Sequence, residues 1–186
     1  MKTSKSLSTS DVRRDTVISS AIAVFAKGGY MGVPIAAVAK HAGISTAYVF
    51  KLFPSKEKLF VAALGRCFEL VHSALADGAE ASADQTPEGL LFAMGGAYAS
   101  LISNRDLLML QVHAQSGREV PEIAKAFRQG LQRIVKFVKS RSAASDEAVQ
   151  RFIAYGQLCH LITTMSIADD TAAWARLLTK GIRHRT

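Results

Sequence analysis

Thr46, Ala47, Tyr48 and Lys51 lie on one side of a short predicted helix that begins after Gly43-Ile44-Ser45. A hydroxyl, a methyl, a phenol and an amine on such a face match the hydrogen-bonding and apolar edges of base pairs in a major groove. Metal or nucleophile chemistry is poorly supplied elsewhere. His41, His72, His113, His160 and His184 are dispersed, with no paired-ligand spacing. Glu69-Leu-Val-His72 is a single Glu-x-x-His unit, where a di-iron bundle needs two. Cys159 and His160 are adjacent and project in different directions from a helix, so they do not form a nucleophile and base. There is no phosphate-binding glycine motif. No catalytic residue, metal or cofactor is expected.

The elements that would position this face are legible from residue types. Ala39 is small enough for two helix backbones to approach. Gly43 follows Ala42 where a left-handed conformation carries no Cβ penalty. Ile44 fills the space between the helices, and Ser45 is placed to cap the second one. Ile35 and Val38, then Val49 and Leu52, supply inner faces at helical spacing. Residues 34–53 therefore read as a helix-turn-helix. A structural hairpin within an unrelated helical ligand-binding protein or enzyme is the alternative reading.

Charge is concentrated where that reading needs it. The 186-residue chain has 23 Lys and Arg against 15 Asp and Glu, a formal net charge of +8. Residues 1–58 hold nine basic and three acidic residues, and the remainder carries a net charge of only +2. Double-stranded DNA is the partner this distribution favours.

The whole chain reads as all-α. A first helix starts after Ser10 with Ile18, Ala21, Ile22 and Phe25 on one face and stops at Gly28-Gly29. Ser55 caps a fourth helix that fades near Asp77-Gly78, and Thr86-Pro87 opens a fifth, with Gly95-Gly96 inside it as a site of kinking or close packing. Leu107 to Gln115, a helix from Pro121, another from Ser145 to about Ile167, and a last one capped by Asp169-Asp170 complete the body. Residues 1–10 read as a disordered arm, 11–71 as the DNA-binding head, and 72–186 as a helical effector-binding and dimerisation body. The polar N-terminus has no secretory pattern, and the longest apolar run, residues 89–102, falls short of the ~20 residues of a spanning helix. A cytoplasmic protein without a membrane partner, its Cys67 and Cys159 reduced and buried, is expected.

Ala42 to Phe60, with Gly43-Ile44-Ser45 and Phe53-Pro54-Ser55-Lys56-Glu57-Lys58-Leu59, resembles the signature of TetR-type transcriptional regulators. The segment Arg14 to Tyr30, ending Phe25-Ala26-Lys27-Gly28-Gly29-Tyr30, is similar to that family's first helix. The resemblance implies a homodimer that binds a palindromic operator, usually represses, and releases DNA when a small molecule enters the body. Carried over by position, it implies base reading by Thr46, Ala47 and Tyr48, a base or phosphate contact from Lys51, and a phosphate anchor at Lys56, with Ser45 at the helix start. Three positions depart from the pattern: Ala47 replaces a frequent Gly, Phe50 a frequent phosphate-touching Tyr, and Val33 a frequent Thr cap. Tyr48 is then the candidate to replace the lost phosphate contact or to lie over a thymine methyl.

Body residues are assigned on weaker signals. Phe92, Met94, Tyr98, Met109, His113 and Tyr155 are effector-pocket candidates for a small apolar or amphipathic molecule. The two-row pattern of the penultimate helix, with the Trp174 helix, places Phe152, Gly156, Cys159, Ile162, Trp174 and Leu178 in an expected four-helix dimer interface.

Overall fold

The computed structural model describes residues 9–117 and 119–182, so most of the expected N-terminal arm and His184 lie outside the described residues. Its helices are α1 (Thr9–Gly32), α2 (Ile35–His41), α3 (Thr46–Leu52), α4 (Lys56–Glu80), α5 (Pro87–Ile102), α6 (Arg105–Ser116), α7 (Pro121–Ser142), α8 (Asp146–Thr164) and α9 (Ala173–Thr179). A 3-10 turn, Ile167–Asp169, separates the last two, and there is no strand among the described residues.

The long α4 organises the molecule. Its apolar residues recur every three or four positions, and Leu59, Phe60, Ala63, Leu64, Cys67, Phe68, Val71 and Leu75 are all buried. They pack against α1 toward the head and against α5 and α7 in the body. By length and composition α4 could cross a membrane, although charged residues interrupt its apolar run. In this fold its apolar side is the protein core. The 71/72 division falls inside this unbroken helix, and one buried cluster runs from Val17 in the head to Val149 in the body.

Gly29 explains how α1 ends. Its φ of 67° breaks the helical path, and a Cβ there would meet Nδ1 of His113 on α6 at 2.9 Å. Both the left-handed backbone and the close approach require glycine. The joint between α1 and α6 is thus set by the same pair, and His113 belongs to it.

Elsewhere the caps follow the sequence. Ser55, Thr86, Asn104 and Ser145 each accept a backbone N–H at their helix starts. Pro34 leaves α2 without a side-chain cap, while Val33 is buried, so the residue that replaces a capping Thr serves packing instead. At the chain's end the expectation fails. Ser166 turns left-handed and stops α8 short of Ile167. Asp170 Oδ1 accepts from Ala172 N–H, making a turn before α9 rather than capping it. Ile182 lies beyond α9, which ends at Thr179. Gly95 and Gly96 do not kink α5: the helix is continuous through them.

Candidate DNA interface and body cavity

The α2–α3 turn is built by backbone hydrogen bonds. Ala42 N donates to Val38 O at 2.9 Å, Gly43 N to Lys40 O at 3.2 Å, and Ile44 N to Ala39 O at 3.1 Å. Gly43 takes φ +66° with open space around its missing Cβ, so it is required for its conformation and not for room. Ala39, 2% exposed, lies at the helix crossing, and Val49 is fully buried on the inner face of α3. Ser45 Oγ accepts from Tyr48 N–H at 3.2 Å and fixes the start of α3.

That arrangement leaves a defined outer face. Ala47, Phe50 and Lys51 are exposed, and Thr46 and Tyr48 are half-buried. Phe50 presents an apolar ring in place of a phenol. The Arg13 guanidinium stands 5.6 Å from the Tyr48 ring centroid, which adds a cation to the rim of the face.

Arg14 was not singled out by the sequence reading. Its Nη1 donates to Leu52 O at 2.8 Å, and its guanidinium lies 4.1 Å from the Phe53 ring centroid. It therefore satisfies a carbonyl at the C-terminal end of α3, where a cation complements the helix dipole. The Arg13-Arg14 pair was visible as charge. Its two different uses depend on contacts 35 and 38 residues away.

The start of α4 is a second polar centre. Lys56 is half-buried with Nζ 4.8 Å from the Tyr30 ring centroid. The Tyr30 hydroxyl donates to Glu57 Oε1. Hydrogen bonds from Ser55 and then Tyr30 hold the Glu57 carboxyl down to about 2, while burial, followed by the Glu57 hydrogen bond, pushes the Tyr30 phenol up to about 12. The depressed Glu57 pKa stabilises the head above the ordinary carboxylate range and loses that contribution as pH falls toward about 2. Wild-type melting temperature is expected to fall over that acid window more steeply than that of Tyr30→Phe, read by circular dichroism. Parallel acid limbs would remove this pair as a source of the pH dependence. Lys56→Ala is expected to weaken binding to every duplex alike and to reduce the salt slope by about one phosphate contact. Affinity measured at several salt concentrations on specific and scrambled duplexes checks it.

The body holds a cavity of about 490 Å³, open to solvent on one side, between α4, α5, α7 and α8, with Gln111 of α6 and residues 180–182 also lining it. Phe92, Tyr98 and Tyr155 line it. Met94, Met109 and His113 do not: Met94 is fully buried in the main core, Met109 packs in a smaller cluster with Ile102 and Leu108, and His113 is at the α1–α6 joint. The helical stripe was real, but a helix buried on several sides sends only part of it toward the cavity. Gly95 and Gly96 also line the space, so they widen it by lacking side chains.

The expected dimer residues divide in the same way. Phe152, Gly156 and Cys159 line the cavity, with Tyr98 Cε1 at 3.7 Å from a Cβ built on Gly156. Ile162 is 1% exposed within its own subunit, against Ile167 and Ala175. Leu178 is half-buried beside that cluster, and Trp174 alone of the six is exposed. Leu161, Met165 and Leu177 are exposed large apolar residues on the same α8–α9 part of the chain, and periodicity alone did not separate them from the inward rows. Cys67 and Cys159 are separate buried thiols, and burial pushes the Cys67 thiol up to about 12.

The fold is a helix-turn-helix head with an exposed outer face on α3, joined by one long helix to an all-α body. Residues 17–63 match the family described as bacterial regulatory proteins, tetR family. The repressor KstR of Mycolicibacterium smegmatis is 41% identical over 59 residues, covering 32% of this chain and 29% of KstR. The matched segment thus spans less than a third of that relative's length. The fold extends further. A TetR-family regulator from Agrobacterium tumefaciens superposes with a TM-score of 0.72 at 17% identity, covering 92% of this chain and 96% of the other. FadR from Bacillus subtilis, solved in complex with stearoyl-CoA, gives a TM-score of 0.61 at 18% identity over 91% and 99% of the two chains.

Proposed function

We propose that the chain is a sequence-specific transcriptional regulator of the cytoplasm, a homodimeric repressor that holds a palindromic operator and leaves it when a small apolar or amphipathic molecule fills the body cavity. The observation that carries this reading is the outer face of α3, held open by the Gly43 turn and the Ser45 cap and flanked by Arg13 and Lys51. Thr46, Ala47 and Tyr48 would meet base edges, and Lys51 and Lys56 would meet phosphate or base. Head (residues 11–71) and body (72–186) act as two functional parts of one packed molecule.

The dimer is supported by Leu161, Met165, Trp174 and Leu177, apolar side chains left outside the core on the α8–α9 part of the chain. The α4 helix supplies the coupling. Lys56 is at its head end, and Phe68, Val71 and Leu75 form cavity wall farther along the same rod. A molecule that shifts this wall moves the start of α4 and with it the pair of recognition helices.

Selection of bound fragments from genomic DNA, followed by a gel shift on the recovered sequence, tests the central claim. A palindromic site bound by a dimer in sedimentation is the expected result. Equal retention of all fragments would overturn sequence-specific reading, and a monomer at micromolar concentration would overturn the dimer.

A further inference from the structure

The polar groups on the inner wall of the cavity are all neutral. Tyr98, Gln111 and Cys159 contribute a phenol, a carboxamide and a thiol, and Phe68, Leu75 and Phe152 are among the apolar residues of that wall. The charged lining residues Glu88, Arg151 and Lys180 are exposed and so stand at the mouth. Behind the wall, the Tyr98 hydroxyl lies 2.6 Å from Nε2 of His160, which is buried. His160 Nδ1 has no hydrogen-bond partner among the described residues.

Hydrogen-bond accounting gives this pair a direction. Burial holds the His160 pKa down to about 4, so the ring carries a single N–H at neutral pH. A proton on Nδ1 would be a buried donor with no acceptor, which folded proteins rarely keep. A proton on Nε2 instead donates to the Tyr98 oxygen, to which the Gln111 side chain also hydrogen-bonds as a donor, and both leave the phenolic hydrogen for an acceptor in the cavity. Burial also raises the Tyr98 pKa, so the phenol stays a donor. A carboxylate at this depth would face no cation and would lose its hydration without replacement.

We infer that the cavity takes a neutral, mainly apolar molecule bearing a carbonyl oxygen at its buried end, received by the Tyr98 hydroxyl. This inference rests on the reading of the cavity as the effector site. Its volume of about 490 Å³ suits a small organic molecule. Gly95, Gly96 and Gly156 give the body of such a molecule a side-chain-free strip along the wall.

The test compares methyl undecyl ketone with laurate, titrated calorimetrically into the full chain, wild type and Tyr98→Phe. The wild type is expected to bind the ketone at least about tenfold more tightly, and Tyr98→Phe to lose about tenfold for the ketone while leaving laurate unchanged. Laurate bound as tightly as the ketone, or a ketone affinity indifferent to Tyr98→Phe, would overturn the assignment. So would failure of both probes to bind. If Tyr98→Phe does not fold, the wild-type preference decides alone. Operator release is measured beside it. Laurate binding better and releasing DNA sinks the ligand class but keeps the effector site, whereas ketone binding without release keeps the class and sinks the effector role.

Discussion

Phe53→Ala is expected to cost about 3–5 kcal/mol of folding stability and, with it, most DNA binding at physiological temperature. Phe53 is 1% exposed, caps the C-terminal end of α3, and donates its backbone N–H to Val49 O at 2.8 Å. Arg14 lies over its ring and bonds the adjacent Leu52 carbonyl. Removing the ring leaves a cavity under α3 and takes away the surface on which Arg14 rests. Such a loss is a large share of the ~5–15 kcal/mol that holds an ordinary domain folded. The main core is continuous from head to body, so a denaturant melt should shift as one transition. Phe53→Leu, which keeps most of the volume, should lose far less. A shift below about 1 kcal/mol for Phe53→Ala would mean that this end of α3 is not seated as described.

Tyr48→Ala is expected to weaken specific binding by about 1–3 kcal/mol and to leave scrambled duplexes largely unaffected. The half-buried ring is held by two devices, the Ser45 cap on its backbone N–H and the Arg13 guanidinium at 5.6 Å from its centroid. Alanine also releases Arg13, whose charge then contributes to both duplexes alike. Tyr48→Phe keeps the ring and the cation, so it isolates the hydroxyl. A loss with Tyr48→Ala but not with Tyr48→Phe assigns the reading to apolar contact, as over a thymine methyl. Equal losses on specific and scrambled duplexes for Tyr48→Ala would take it out of the base-reading set.

The head was largely legible because its signals are local. Gly43 needs a positive φ, Ser45 reaches an N–H three residues away, and the inner faces of α2 and α3 repeat within one or two turns. The same holds for Thr86-Pro87 at the start of α5. Periodicity does not sort the faces of the body helices. Cys159 and Ile162 follow the spacing of an interface helix, yet they face their own subunit's cavity and core, and exposed Leu161 and Met165 were passed over. A helix that is apolar on most of its circumference carries no period that says which side meets what. His113 illustrates the same limit: its type suggested a ligand handle, and its position beside Gly29 makes it part of a joint.

By itself, then, the sequence determined an all-α chain with a TetR-type helix-turn-helix, its turn, its caps and the concentration of positive charge around it. These follow from backbone conformation and short-range hydrogen bonds, which depend on neighbours in the chain. Tertiary structure alone decided that Arg14 would hold the end of α3, that Gly95, Gly96 and Gly156 would open a cavity, and that Tyr98 would meet His160 across 62 residues. Those pairings depend on how helices cross, and the crossing is set by the packing of many side chains at once.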